Sequence, residues 1–162
     1  MYKRQVLNIH QRIINQPKVT VAKLLKTLST KEDKVWPLEK WPAMRFKKGL
    51  VEGAKGGHGP IGYFIKKIVP NESIEFQFTN PTGLMGIHKF EMKEIGEDKT
   101  EIKHTIDMKT NLIGTLQWNT FIRLLHDALI EDAFDKVENY FSPQTKETPW
   151  NWRVKFLRML LK

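Results

Sequence analysis

The chain has 162 residues, 40% of them hydrophobic, which is long and apolar enough for one buried core and excludes a disordered chain. It contains no cysteine, so disulfides and thiolate metal sites are excluded. The net charge of +9, from 27 Lys and Arg against 18 Asp and Glu, is dispersed in pairs such as Lys47-Lys48 and Lys66-Lys67, so it reads as a solvated surface and no nucleic-acid partner is expected.

The chain opens Met1-Tyr2-Lys3-Arg4-Gln5, without an apolar run suited to a signal peptide, and nowhere nears the roughly 18 uncharged apolar residues of a membrane span. A soluble, cytoplasmic protein is the expectation. Residues 3–9 alternate, with Gln5, Leu7 and Ile9 on one side and Arg4, Val6 and Asn8 on the other, which suits a first strand. Residues 20–28 change period and place Val21, Leu24, Leu25 and Leu28 on one helical face, with Thr20 as the expected cap. Trp36-Pro37 and Trp41-Pro42 then predict a loop or broken helix, because proline removes an amide donor and restricts the residue before it.

Beyond residue 60 the period is that of strands. Ile61, Tyr63, Ile65 and Val69 share one parity, and so do Ile74, Phe76 and Phe78; the turn Pro70-Asn71-Glu72 joins the two runs. His88, Phe90 and Met92 alternate with Lys89, Glu91 and Lys93, and after Gly96-Glu97-Asp98 the set Ile102, His104, Ile106 and Met108 alternates with Lys103, Thr105 and Asp107. Such a meander is one antiparallel sheet with a single apolar face. Residues 115–141 supply its cover: Trp118, Ile122, Leu125, Leu129, Ala133 and Tyr140 recur at helical spacing. Ser142-Pro143 ends that helix. A basic amphipathic tail follows in residues 142–162, starting a helix near Thr148-Pro149 and setting Trp150, Val154, Leu157 and Leu161 against Arg153, Lys155, Arg158 and Lys162. It is read as docking on its own domain, residues 1–141, or on a second subunit; lying on an anionic membrane surface is the other use of residues 149–162.

Four of the five histidines point to one place: His88 and His104 on apolar strand parity, His126 on the apolar flank of the long helix, and His58 in a glycine-rich turn. With Tyr63, Phe76, Phe78, Phe90 and Trp118 they would line a hollow between sheet and helix, the usual form of a small-molecule site. The same aromatics serve equally as ordinary core. His88, His104 and His126 are the right ligand type for a zinc-like ion, but no tight His-x-His or His-x-x-x-His spacing occurs, and neither a metal nor another cofactor is expected. No catalytic residue is assigned. Were the protein an enzyme, the candidates are His88, His104 and His126 with Asp132 on the same helix as a partner, whereas Asp127 and Glu131 project to the other side and are read as solvated. The glycines Gly53, Gly56, Gly57 and Gly59 lack the Lys-Ser/Thr end of a nucleotide-binding loop and precede a strand, so they read as a tight connection with positive φ.

The run Val51-Glu52-Gly53-Ala54-Lys55-Gly56-Gly57-His58-Gly59-Pro60-Ile61 resembles the glycine-rich loop of the birch-pollen-allergen (Bet v 1-like) family, and the order of elements over residues 3–141 resembles the wider START-like superfamily of polyketide cyclases, dehydratases and lipid-transfer proteins. Gly86-Ile87-His88 and Leu125-His126-Asp127-Ala128-Leu129 resemble uncharacterised bacterial members. The loop departs from the plant pattern by an extra residue between Gly53 and Gly56 and by Pro60, so the plant ligands are not carried over. The resemblance implies an α+β helix-grip fold, a curved antiparallel sheet of about six strands wrapped on the long helix with a ligand cavity between them. It implies two functions from different classes: binding a small hydrophobic ligand (lipid-like, aromatic or polyketide-like), or a cyclase- or dehydratase-type enzyme working through the cavity histidines. Binding is the expectation carried forward.

Overall fold

The computed structural model describes residues 4–161. Seven antiparallel strands form one sheet in the order β1-β7-β6-β5-β4-β3-β2. The strands are β1 (Arg4–Ile14), β2 (Arg45–Phe46), β3 (Lys55–His58), β4 (Ile61–Val69), β5 (Ser73–Asn80), β6 (Leu84–Gly96) and β7 (Lys99–Thr110). The strict alternation of β5 to β7 sets their faces: Phe76, His88, Phe90, Met92, Ile102, His104, Ile106 and Met108 are all buried. β7 pairs continuously with β6 from Leu84 opposite Thr110 to Glu94 opposite Thr100, and with β1 from Arg4 opposite Thr110 to Ile14 opposite Thr100, giving the sheet its long ladders.

Two short strands, β2 and β3, had no alternating run in the sequence: Lys55–His58, expected as turn, is a strand paired with β2 on one side and β4 on the other. Glycine carries no strand propensity, so the sequence pattern hides it. Gly56 is required by close approach: a Cβ there would overlap the carbonyl oxygen of Arg45 on β2. In the turns flanking the strand Gly53 (φ +80°) and Gly59 (φ +50°) adopt positive φ, as does Gly57 (φ +153°) within it.

Before β2, the expected helix over residues 20–28 is split. Helix α1 (Lys18–Ala22) runs into a 3₁₀ turn at Lys23–Thr27, and Pro17, not Thr20, sits at the N-cap, where the pre-set φ of proline suits a helix start. Val21, Ala22, Leu24, Leu25 and Leu28 are buried together with Trp36, Trp41 and Met44 of the following loop.

The long cover helix begins at α2 (Leu112–Gln117), capped by the Asn111 side chain on the Gly114 amide, and continues through a π turn at Trp118–Ile122 into α3 (Arg123–Phe141). A π turn takes up one extra residue and so rotates everything after it by about 100°. That rotation corrects the expected faces. Ile130, Phe134 and Val137 join Leu129 and Ala133 in the core, while Tyr140, on the Ala133 stripe at the end of the helix, is 56% exposed. It also turns Asp127, Glu131 and Asp135 toward β1. The inward parity of β1 is Val6, Asn8, His10, Arg12 and Ile14, whereas Leu7, Ile9 and Ile13 on the outer face are exposed.

After α3 the chain returns as α4 (Trp152–Leu160), capped by Asn151, not by the Thr148-Pro149 start expected from sequence. Val154 is buried, Arg158 donates to the Lys40 carbonyl at 2.7 Å and its guanidinium lies 4.6 Å from the Trp41 ring centre, so the tail is docked on its own domain. Trp152, Phe156, Met159 and Leu160 remain exposed. Among the described residues no helix is long and apolar enough to cross a membrane.

Candidate functional site

Neighbouring strands and the cover helix bring the imidazoles into one row. His88 on β6 and His104 on β7 point to the same face, with His104 Nε2 3.4 Å from His88 Nδ1. Along the row, the His104 ring lies 5.1 Å from that of His126 on α3, whose other ring neighbours are His10 of β1 at 5.8 Å and Trp118 of the π turn at 6.0 Å. In the opposite direction Tyr63 of β4 meets the His88 ring edge to face at 4.6 Å, and its hydroxyl shares a 2.9 Å hydrogen bond with His58 Nδ1. Phe76 and Phe78 stack on His88, and Phe90 packs edge-on against His104. All the residues proposed from sequence to line a hollow are therefore contiguous.

Rings occupy the space between sheet and helix: Tyr63, Phe76 and Phe90 are at most 1% exposed. Open volume lies at the two ends of the row. A cleft of about 480 Å³ beside β3 is lined by Arg45, Phe46, His58, Pro60, Ile61 and Asn80 among others. A smaller one of about 210 Å³ lies between β1 and the π turn, against Val6, Asn8, Trp118, Asn119 and Arg123.

Burial sets the charge of the row. It pushes the imidazoles of His88 and His104 well below the usual histidine range, reinforced by repulsion from their histidine neighbours. Burial takes His58 down to about 3 and also lowers His126, although the Asp127 carboxylate pulls the latter back up. The Tyr63 phenol is driven well above its usual value by the same desolvation. The row is thus neutral near pH 7. Three of its buried nitrogens, His88 Nε2, His104 Nδ1 and His126 Nε2, have no hydrogen-bond partner.

Asp132, the acid–base partner suggested by sequence, is engaged elsewhere. Its Oδ2 accepts from the indole nitrogens of Trp41 at 2.7 Å and Trp150 at 2.8 Å, and its Oδ1 meets Lys40 Nζ at 3.1 Å. It clamps the loop after α1 and the tail onto α3. The carboxylates read as solvated are the ones that meet a histidine. His10 Nε2 lies 3.0 Å from Asp127 Oδ1 and His10 Nδ1 2.8 Å from Glu131 Oε1. Burial disfavours the His10 imidazolium, but the hydrogen bonds and charges of those two carboxylates outweigh it and raise its pKa. Arg12 continues the line to Glu131, Asp135 and Glu138.

His10 is the functional candidate that sequence reasoning missed. The alternation of the first strand runs on to Ile14, and Asn8, His10 and Arg12 on its Val6 parity match Asp127, Glu131, Asp135 and Glu138 along one side of the helix. The set His88, His104 and His126 does not gather ligand atoms around one point. His10, His126 and Asp127 do, with one atom from each lying within 4.8 Å of the others.

The sequence matches no family model and no curated protein. Solved structures match in fold. Norcoclaurine synthase from Thalictrum flavum, in complex with dopamine and hydroxybenzaldehyde, superposes with a TM-score of 0.63 at 10% identity, covering 87% of this chain and 90% of that one. CalU16 from Micromonospora echinospora gives 0.60 at 12% identity over 96% and 92% of the two chains. The protein of unknown function EF2215 from Enterococcus faecalis gives 0.61 at 11% identity over 97% and 84%. Identities this low show the fold alone, an antiparallel sheet gripping a long C-terminal helix.

Proposed function

We propose that this helix-grip protein binds one small, mostly apolar molecule carrying an aromatic ring and a hydroxyl or carbonyl group, gripped between the sheet and α3 with its polar atom against the imidazole row. The observation that carries this reading is the set of three buried, neutral imidazole nitrogens without partners, at His88, His104 and His126. An unpaired buried polar atom costs about 1–3 kcal/mol, so a guest that satisfies one or two of them gains that much beyond its apolar burial. Dopamine and hydroxybenzaldehyde, held by the norcoclaurine synthase structure, are guests of this chemistry. Because rings fill the interior, the guest displaces side chains on entry. The π turn beside the smaller cleft is the element suited to move, since such turns cluster at functional sites.

The alternative is an enzyme of polyketide cyclase or dehydratase type, favoured by two titratable pairs within reach of one another, His88 with His104 and His58 with Tyr63. Against it stands their basicity: an effective general base titrates near the working pH, and burial drives these imidazoles far below it. The exposed stripe of Trp152, Phe156, Met159 and Leu160 beside Arg153 and Lys155 supports contact of the tail with a second subunit or an anionic lipid surface.

The test is titration with the fluorescent probe anilinonaphthalene sulfonate and its displacement by hydroxybenzaldehyde. One saturable site is expected, and His104→Phe is expected to keep affinity within about tenfold, since one neutral hydrogen bond is worth roughly 1 kcal/mol. Displacement that fails in the wild type, or a substrate whose turnover falls at least about 100-fold in His104→Phe with binding intact, would reject binding as the function.

A further inference from the structure

We propose that His10, His126 and Asp127 form a binding site for one divalent transition-metal ion at the β1 end of the imidazole row. Asp127 Oδ1 lies 3.0 Å from His10 Nε2 and 3.5 Å from His126 Nδ1. An ion bound at about 2.1 Å from nitrogen and oxygen ligands holds adjacent ligand atoms roughly 3.0–3.4 Å apart; the carboxylate oxygen already stands at about that spacing from each imidazole, and all three atoms lie within 4.8 Å of one another. The donors come from β1 and from consecutive residues of α3, elements locked together by Arg12 on Glu131, Asp135 and Glu138.

The surroundings are those of a metal ligand. Histidines that bind metals hand their other ring nitrogen to a carboxylate, which fixes the tautomer and raises basicity. His10 does so: Nδ1 meets Glu131 Oε1 at 2.8 Å, and Glu131 Oε2 is held at 2.6 Å by Arg12. Asn8 donates to Asp127 Oδ1 at 3.0 Å while its own Oδ1 is buried and unpartnered, so a turn of the amide presents an oxygen to the same place. The side chains of His10 and His126 are 14% and 12% exposed and Asp127 33%, leaving access from solvent, and Asn8 also lines the smaller cleft.

Two imidazoles and one carboxylate suit zinc, cobalt, nickel or ferrous iron and disfavour calcium and magnesium, which take oxygen ligands. Three protein ligands leave further positions for water or for an oxygen of a guest. In the ion's absence the His10 ring bridges Asp127 and Glu131, and an ion binds Nε2 only in its deprotonated form. The site does not require the apolar guest, and its failure would leave the binding reading intact.

The experiment uses the untagged full chain, stripped with a chelator, titrated near neutral pH with zinc chloride by calorimetry and with cobalt chloride by visible absorption. One ion per chain is expected. Asp127→Asn and His10→Gln should each weaken binding by at least about 100-fold, and Glu131→Gln, which leaves all three ligands in place, by about 10- to 100-fold. Circular dichroism checks each variant; if His10→Gln does not fold, Asp127→Asn and the cobalt spectrum of the wild type decide alone. Absence of binding by both ions, or wild-type affinity in Asp127→Asn, would show a salt-bridged imidazolium only and overturn the proposal.

Discussion

Acidification from pH 7 to pH 5 is expected to remove several kcal/mol of stability, much of what a domain of this size possesses. His58, His88 and His104 are held neutral by burial, with folded pKa values below the unfolded value of 6.5. For a base shifted in this direction the unfolded chain binds more protons below pH 6.5, so stability is complete above that value and lost as pH falls toward the folded pKa. His58, with a folded value of about 3, accounts for roughly 2 kcal/mol between pH 6.5 and 5 at 1.36 kcal/mol per unit. His88 and His104 act in the same sense, as does His126. His10 acts in the opposite one: its raised pKa gives stability that is present below 6.5 and lost as pH rises through its folded value. Several histidines against one leave a net loss in acid, set against a typical total of about 5–15 kcal/mol. Urea unfolding followed by circular dichroism at the two pH values measures it, and His104→Phe should flatten the slope. An unchanged midpoint would mean that the interior imidazoles are solvated.

Asp132→Ala is expected to cost about 2–6 kcal/mol, because it strands two indole N–H groups at about 1–3 kcal/mol each. Trp41 and Trp150, whose rings lie 5.3 Å apart, both donate to the same carboxylate oxygen, and Asp132 is 4% exposed. Lys40 loses its partner as well. The damage should spread outward along the tail: hydrogen exchange in α4 and protease cleavage between residues 142 and 151 should both accelerate. Asp132→Asn keeps an acceptor oxygen and should cost less. Urea midpoints for the two variants check this. A stable Asp132→Ala protein with an intact tail would contradict the clamp and mean that the two indole N–H groups find other acceptors.

The sheet was legible where alternation was strict. Within residues 74–78, 88–92 and 102–108 every second residue is apolar or histidine, the intervening ones are polar, and the inward face follows directly. Two features broke the pattern. The glycines of β3 are small because the backbones of β2 and β4 crowd them, and a residue chosen for its missing side chain leaves no periodic signal. The π turn at Trp118–Ile122 rotates the helix partway along, so a face counted from Trp118 at an unbroken 3.6-residue period misses Ile130, Phe134 and Val137, which the core takes. The same rotation explains the site. Asp127 and Glu131 look solvated on an unbroken helix, and Asp132 looks inward; with the turn in place the first two meet His10, and the tryptophans of a loop and the tail claim the third. The contiguity of His88, His104 and His126 survives because two of the three come from the regular part of the sheet.

Ligand binding is tested most directly by native mass spectrometry of the protein purified from its own cells, followed by denaturation and identification of what is released. One stoichiometric small molecule, mostly apolar and bearing a hydroxyl or carbonyl group, is the expected result. A protein that emerges empty and then takes up neither anilinonaphthalene sulfonate nor hydroxybenzaldehyde would contradict it, and would make the ring-filled interior a core and nothing more.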